Sequence, residues 1–280
     1  MGISIVFNRD STMTQIILGE DSYRIDVLDK TTHSKTLLQQ EQASIFALLI
    51  EREKEFSFNP DVVINYPDIT DSFLKDPISY INAYVATIEG EQGRDVDEVV
   101  ILTTYGNNLI SPLTADGYNA EKIQMPAGPD HTFKFSKTLL NKKHQAQSCK
   151  FYLEAVNEQD EKIQATFVVK LTDRHGVLKG GMCGSLCEVD GELFAYIATV
   201  VVDKTSPKSA GSLLAKTAFH YLKEKGVNYA HLGTQTAVRF YEKQGFYTTH
   251  RIIDKLRSRL AENGNVIHND LVIMAKKFTD

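Results

Sequence analysis

Two stretches decide the fold: AYIATVVVDKTSPKSAGS at residues 195–212 and TAVRFYEKQGF at residues 236–246. The first begins as an apolar run typical of a buried strand, continues as a turn, and then opens an amphipathic helix that extends to about Lys225. A strand that leads through a turn into a helix N-terminus is suited to binding an anion. The first backbone N–H groups of a helix have no partner within it, and the helix dipole adds to their attraction.

Further strands are predicted on both sides of these stretches. Asp190-Gly191 is a hairpin signal between two of them, and residues 254–264 are expected to form a short helix or a loop. The predicted strands span residues 163–171, 177–189, 193–202, 227–232, 248–253 and 270–276. The sequence therefore predicts an α/β fold in its second half.

The first half also mixes strands and helices. Residues 34–55 carry an apolar stripe at helical spacing, and residues 77–92 form a second predicted helix with Asp76 as its cap and Pro77 at its first position. A strand is predicted at residues 98–102. The segment Met125–Asp130 has no periodicity and two prolines, so it is the best linker candidate. We therefore expect two domains, at residues 1–128 and 129–280.

The two halves show a similar order of elements. Helix 77–92, strand 98–102 and the segment ending in Gly117-Tyr118 follow one another as helix 211–225, strand 227–232 and the segment ending in Gly245-Phe246 do. This order predicts a tandem protein whose N-terminal half is a degenerate copy. The alternative is that any two α/β units look alike at this level of comparison.

Composition excludes several classes of function. The net charge of −5 and the lack of a Lys/Arg cluster among aromatics argue against nucleic acid as a partner. No apolar run approaches the ~20 residues that a membrane span needs. Three cysteines, without the spacing of metal ligands, predict reduced thiols, a cytoplasmic location and no metal site: Cys149, Cys183 and Cys187.

Residues 177–246 resemble the GNAT superfamily of acyl-CoA-dependent N-acyltransferases. That family has a hydrophobic strand ending in Asp, a Gln/Arg-x-x-Gly-x-Gly/Ala turn that opens a helix, a second strand, and then Asn-x-x-Ala-x-x-x-Tyr-x-x-x-Gly-Phe. The last motif matches at Ala237, Tyr241, Gly245 and Phe246, with Thr236 in the Asn position. The turn departs from the pattern, because Ser206 replaces the Gln/Arg and Ser209 replaces the first glycine. Lys208 or Lys204 would have to supply part of the missing charge.

The resemblance implies a mixed, splayed central sheet with flanking helices, the acyl-CoA N-acyltransferase fold, and acetyl-CoA as co-substrate. It implies that the CoA pyrophosphate lies on backbone N–H groups of the turn, and that the pantetheine arm pairs with strand backbone. Tyr241 would protonate the departing thiolate, and Thr236 would cap its helix and touch the CoA arm. The implied CoA-binding residues are Val200, Val201, Val202, Lys208, Ser209, Ala210, Gly211, Ser212 and Thr236. A core position is the alternative role for Tyr241.

Four side chains are candidates for the base that takes the amine proton: Asp173, His175, Glu188 and His231. Glycines in the strand at residues 177–189 indicate either close approach by a ligand or a bulge without function: Gly180, Gly181 and Gly184. Cys183 and Cys187 are more typical of buried apolar residues than of nucleophiles. In the N-terminal half, Pro112 and Leu113 occupy the positions of Phe240 and Tyr241, so we expect a single CoA site, in the C-terminal half.

The function that the resemblance implies is transfer of an acetyl group from acetyl-CoA to the primary amine of a small molecule, directly, in a ternary complex. Leu232-Gly233-Thr234-Gln235 resembles the branch that acetylates amino groups of nucleotide-linked sugars. A non-catalytic or regulatory CoA-binding module is the alternative from another class. The oligomeric state is left open, with a homodimer as one alternative.

Overall fold

The computed structural model describes residues 3–7, 13–18, 21–65, 71–103, 107–125, 131–156 and 165–278. The elements of the first half are β1 (Ile3–Phe7), β2 (Met13–Leu18), β3 (Asp21–Asp29), α1 (Lys35–Glu53), β4 (Ser57–Phe58), β5 (Val62–Asn65), α2 (Asp71–Lys75), α3 (Pro77–Gln92), β6 (Glu98–Thr103), α4 (Asn107–Ala115) and β7 (Asn119–Gln124). Those of the second half are β8 (His131–Leu140), β9 (Ala146–Val156), β10 (Phe167–Asp173), β11 (Leu178–Val189), β12 (Glu192–Val202), α5 (Ala210–Glu224), β13 (Val227–Thr234), α6 (Val238–Lys243), β14 (Tyr247–Leu260) and β15 (Val266–Lys277).

The chain packs as two compact units, each built from separate stretches of sequence. Unit 1 comprises residues 1–56, 163–250 and 272–280, and unit 2 comprises residues 57–162 and 251–271. The division differs from the expected domains 1–128 and 129–280, because β3 pairs antiparallel with β10 and so joins the start of the chain to the second half. The linker expected at Met125–Asp130 lies outside the described residues beyond its first residue.

Unit 1 is a mixed sheet with a helix on each face. Its strands run in the order β1-β2-β3-β10-β11-β12-β13-β15, and among the pairs that these strands form within the described residues only β12–β13 is parallel. On one face α5 buries Leu214, Ala218 and Leu222 against the sheet. On the other face α1 buries Leu38 and Ile45. This arrangement confirms the predicted splayed α/β sheet with flanking helices.

The glycines of β11 are explained by packing. A Cβ on Gly181 would lie 2.3 Å from Ile45 Cδ1, and a Cβ on Gly184 would lie 2.1 Å from the Tyr196 carbonyl oxygen. Such distances are far shorter than van der Waals contact, so these positions admit only glycine unless the Ile45 side chain or strand β12 shifts. The neighbouring Cys183 is fully buried, and burial raises the pKa of its thiol to about 12. It is therefore an apolar core residue rather than a nucleophile.

Unit 2 has its own sheet and its own core. The sheet order is β5-β6-β9-β8-β7, with β5, β6 and β9 parallel and the other pairs antiparallel. Helix α3 begins as predicted, with Asp76 as its cap and Pro77 at its first position. Its residues Ile81 and Val85 pack against the sheet in a core that includes Phe151.

One prediction near the C-terminus is wrong. Residues 254–264 belong mostly to strand β14, which ends at Leu260, and a tight turn leads into β15. The turn is closed by the Ala261 N–H, which donates to the Asn265 carbonyl at 2.8 Å, and Gly264 has a φ of 80°. Asn263-Gly264 is a hairpin signal and accounts for this turn.

Candidate active site

The sheet of unit 1 opens between β12 and β13. The two strands pair only from Leu193 to Tyr196 on β12, opposite Val227 to His231 on β13. Beyond that point Gly233 and Thr234 pair with β15, whereas Ile197 and residues 199–202 pair only with β11 among the described residues. Within the described chain, the backbone groups of Val200–Val202 that face away from β11 therefore have no strand partner. Buried backbone groups of this kind need a partner from elsewhere.

A bulge marks the start of this opening. Cys183 pairs with Thr199 and Gly184 pairs with Ile197, so Ala198 is left without an opposite residue on β11. An extra residue on one strand bends it and increases its local twist. The bulge thus directs the end of β12 away from β13.

Helix α5 begins at the end of β12 with its first N–H groups available. Its cap residue Ser209 makes no side-chain hydrogen bond to the helix. The Ala210 N–H donates to the Pro207 carbonyl, and the first regular helical bond runs from the Leu213 N–H to the Ser209 carbonyl. The N–H groups of Gly211 and Ser212 come between these two bonds, and a helix start of this form attracts an anion.

The turn before α5 is held by its own side chains. Thr205 N–H donates to Asp203 Oδ1 at 2.8 Å, and Ser206 Oγ donates to the Lys179 carbonyl at 3.1 Å. Ser206, which stands where the family has Gln or Arg, therefore serves the turn itself. Lys204 forms an ion pair with Glu55, whereas Lys208 is exposed and has no ion pair in the part of the chain that the structure describes.

Gly211 brings the two decisive stretches of sequence together. A Cβ at this position would lie 3.4 Å from Val202 Cγ2 and 3.6 Å from Phe240 Cε2. The first turn of α5 thus lies against both the end of β12 and the first turn of α6. Those distances are ordinary contacts, so the glycine gives space here rather than a special backbone conformation.

Tyr241 is buried on α6, next to this meeting point. Its ring packs edge-on against Phe240 and Phe246, with centroids 5.1 and 5.6 Å away. Its side chain belongs to the core that α5 covers. Burial raises the pKa of its phenol well above the ordinary value, so Tyr241 carries its proton at neutral pH. These contacts are those of a core aromatic residue, and its phenol is protonated at neutral pH.

Thr236 does not cap α6, contrary to the prediction. The helix begins at Val238, its cap residue is Ala237, and the Ala237 N–H donates to Thr234 Oγ1 at 3.2 Å. The helix starts two residues later than expected, so the hydroxyl that meets its entrance comes from the end of β13. Thr234, one of the four residues behind the resemblance to nucleotide-sugar enzymes, thereby has a local structural role.

The four candidate bases lie in different places. Glu188 is exposed and pairs with Leu193, at the end of β12 opposite to the opening. Asp173 and His175 lie in the β10–β11 turn, where Asp173 accepts the N–H groups of His175 and Val177. Partial desolvation raises the pKa of Asp173, but these two hydrogen bonds outweigh it, so the pKa lies below its ordinary value.

His231 alone among these four lies at the opening. It is the last residue of β13 that pairs with β12, opposite Tyr196, and their ring centroids are 5.3 Å apart. The side chain is 1% exposed, and neither ring nitrogen has a hydrogen-bond partner among the described residues. Burial lowers the pKa of His231 to about 4, so the imidazole is neutral at pH 7 and is a weaker base than an exposed histidine.

Helices able to cross a bilayer are absent from the described part of the chain. No curated protein matches the sequence. Similar solved structures include Arabidopsis thaliana Naa50 in complex with a bisubstrate analogue (20% identity, 40% of this chain and 72% of that chain, TM-score 0.31). Others are the ribosomal-protein-S18-alanine N-acetyltransferase from Escherichia coli (19%, 40% and 69%, 0.31) and a GNAT family acetyltransferase from Elizabethkingia anophelis with acetyl-CoA bound (18%, 40% and 76%, 0.30).

The family comparison covers the part of the sequence that forms the opening between β12 and β13. Residues 132–246 match the family model described as Acetyltransferase (GNAT) family. The match includes β12, the turn before α5, β13 and α6, which together form the opening and its surroundings. Residues 132–246 are therefore similar to an acetyltransferase domain of the GNAT family.

Proposed function

We propose that this protein transfers an acetyl group from acetyl-CoA to the primary amine of a small molecule, by direct attack within a ternary complex. The observation that carries the proposal is the opening after Tyr196 and His231, which ends at the uncapped start of α5 and has Tyr241 beside it. The opening, the helix start and the buried phenol match the three needs of thioester aminolysis: a place for the donor, an anion site and a proton source.

Acetyl-CoA would lie along the open edge of β12. Its pyrophosphate would accept N–H groups from the start of α5 and face the exposed ammonium of Lys208. Its pantetheine amides would pair with the backbone of Val200–Val202, as an added strand would. The residues proposed for the pyrophosphate are Lys208, Ser209, Ala210, Gly211 and Ser212, and Thr236 would border the arm.

The proposed reaction needs one proton donor and one proton acceptor. The neutral amine attacks the thioester carbonyl, forming the C–N bond, and the C–S bond then breaks to release the thiolate of CoA. We assign Tyr241 to donate a proton to that sulfur, because its phenol is protonated at neutral pH and lies beside the opening. His231, neutral and without a hydrogen-bond partner among the described residues, would take the proton that the attacking nitrogen loses.

The location we propose is the cytoplasm. The three cysteines are free, and two of them, Cys149 and Cys183, are buried. Reduced thiols are the usual state of cysteine in that compartment.

Titration calorimetry with acetyl-CoA tests the proposal. We expect one site per chain and, in a thermal melt at about 100 times the dissociation constant, a gain of about 2.7 kcal/mol in the free energy of unfolding. No binding at millimolar acetyl-CoA, or two equivalent sites, would contradict it. Turnover with primary amines of small molecules and with peptides that have free N-termini then tests the acceptor. Acetylation of the peptides alone would show that the small-molecule part is wrong.

A further inference from the structure

A polar cavity of about 210 Å³ lies at the end of the unit 1 sheet where β12 leads into the turn before α5. Its walls come from the start of β3, the β10–β11 turn, the start of β11 and Thr205. None of the residues assigned above to the acetyl-CoA site lines it. The cavity is therefore separate from the opening between β12 and β13, although it shares the same turn.

Cationic donors line this cavity. Arg174 and Lys179 contribute a guanidinium and an ammonium, and neither has an ion-pair partner within 4.0 Å in the described part of the chain. Arg174 Nε donates to His175 Nε2 at 3.0 Å, which leaves the terminal nitrogens of its guanidinium for a ligand. Lys179 Nζ donates to Thr205 Oγ1 at 3.2 Å and keeps two further protons.

Two carboxylates lie near these cations, and both are used by the backbone. Asp173 accepts the N–H groups of His175 and Val177 at 2.9 and 3.0 Å. Asp203 accepts the N–H and the hydroxyl of Thr205. The carboxylates thus shape the two turns that form the walls, whereas the cationic groups retain unused donors. A group that accepts several hydrogen bonds and carries negative charge is the complement of such a set.

The cavity is tied directly to the turn that leads into α5. The Lys179 carbonyl accepts both the Asp203 N–H, at 2.8 Å, and the Ser206 hydroxyl, at 3.1 Å. An anion beside Lys179 and a pyrophosphate at Gly211 would therefore lie on opposite sides of one short turn. CoA carries two such groups, since a ribose joins its pyrophosphate to a 3′-phosphate.

We propose that this cavity binds the 3′-phosphate of CoA through Arg174 and Lys179. The inference rests on the proposed function, because it needs the pyrophosphate at the start of α5. It adds a second anion contact, on a different pair of strands, to a cradle whose own turn lacks the arginine of the family pattern.

Titration calorimetry with CoA and with 3′-dephospho-CoA tests this inference. The wild-type protein should bind CoA about tenfold or more tightly than dephospho-CoA, as charge-assisted hydrogen bonds to a phosphate would give. In the double variant Arg174→Gln/Lys179→Gln this preference should fall to about onefold, with the affinity for dephospho-CoA unchanged. Lys54→Gln, an exposed lysine directly after α1, is the control and should keep the wild-type preference.

The outcomes separate the two proposals. If dephospho-CoA and CoA bind the wild-type protein equally, the 3′-phosphate inference is wrong and the proposed function stands. If the double variant weakens both ligands to the same extent, the two residues act on the fold or the pyrophosphate and the inference is again wrong. If neither ligand binds at millimolar concentration, the proposed function fails and the inference fails with it.

Discussion

Two helix–strand–helix regions of this chain end in the same way. In unit 2, α3, β6 and α4 lead to Gly117-Tyr118, and in unit 1, α5, β13 and α6 lead to Gly245-Phe246. Both glycines have positive φ, 81° and 86°. The N–H of the following aromatic donates in each case to the carbonyl five residues earlier, Tyr118 to Leu113 and Phe246 to Tyr241, both at 3.0 Å.

The two regions differ in what surrounds that shared frame. Asp76 fills the start of α3 by accepting the Ser79 N–H at 3.0 Å, whereas Ser209 leaves the start of α5 without a side-chain cap. Strand β5 pairs with β6 over all four of its residues, whereas β12 leaves β13 after Tyr196. Leu113 stands where unit 1 has Tyr241. Three features therefore distinguish the region with the candidate site from its counterpart in unit 2: an open strand pair, an uncapped helix and the Tyr241 phenol. The tandem origin of the two regions stays a prediction.

Removal of the phenol should have the largest effect on activity. Tyr241→Phe keeps the buried ring and loses the proton, so we expect turnover to fall by about 100-fold or more while acetyl-CoA affinity stays within about twofold. The measurement is release of the CoA thiol. Tyr247→Phe, an exposed tyrosine six residues away, is the control and should retain the wild-type rate. An unchanged rate in Tyr241→Phe would remove this residue from the mechanism.

His231 should make the stability of the protein depend on pH. Its pKa is about 4 in the folded protein and 6.5 as the ordinary value, so the unfolded chain binds more protons between these pH values. The free energy of unfolding should therefore fall by roughly 3 kcal/mol as the pH drops from above 6.5 to 4. His231→Gln should remove that part of the slope in denaturant titrations. A slope identical to that of the wild type would show that the imidazole does not titrate as its burial requires.

A carboxylate at the start of α5 should give that helix an acidic N-cap like that of α3. Ser209→Asp places negative charge beside the proposed pyrophosphate, so acetyl-CoA should bind about tenfold more weakly. The free protein should be equally stable or gain up to about 1 kcal/mol, because the acid interacts favourably with the helix N-terminus. Thr248→Asp, exposed on β14, adds the same charge and should leave binding unchanged. Equal affinity in both variants would separate the α5 N-terminus from the binding site.

The reverse change in unit 2 should have the smallest effect on binding. Asp76→Ala removes the cap of α3 and should lower the melting temperature. It should not create a second acetyl-CoA site, because the β5–β6 pair remains closed. Calorimetry that finds two sites in this variant would show that the cap, rather than the strand pairing, decides where CoA binds.

Local signals in the sequence predicted individual elements well. Helix α3 has the predicted limits, cap and first-position proline, and Asp190-Gly191 forms the expected turn with positive φ at both residues. Strand β12 and helix α5 lie within one residue of their predicted ranges. Such features depend on neighbours a few residues away, which the sequence displays directly.

The pairing of strands that are distant in the chain could not be predicted from the sequence. Phe167 pairs with Asp29, and no local pattern links residues so far apart in the chain, so the sequence does not predict the grouping of β3 with the second half. The predicted cap of α6 is wrong for a related reason. The Ala237 N–H donates to Thr234 Oγ1, at the end of β13, and not to Thr236. The Asn263-Gly264 turn, in contrast, depends on adjacent residues, and the sequence displays its signal directly.

The sequence by itself determined the apolar strand ending at Val202, the turn into α5, and the spacing that places Tyr241 ahead of Gly245-Phe246. Tertiary structure alone decided where β12 and β13 separate, because the apolar run continues unbroken past Tyr196 and only pairing with β11 and β15 ends the contact. It also decided that His231, one of four candidate bases, is the one buried at that point without a hydrogen-bond partner among the described residues. The physical reason is that strand register depends on segments distant in sequence, whereas turns, caps and helices depend on adjacent residues.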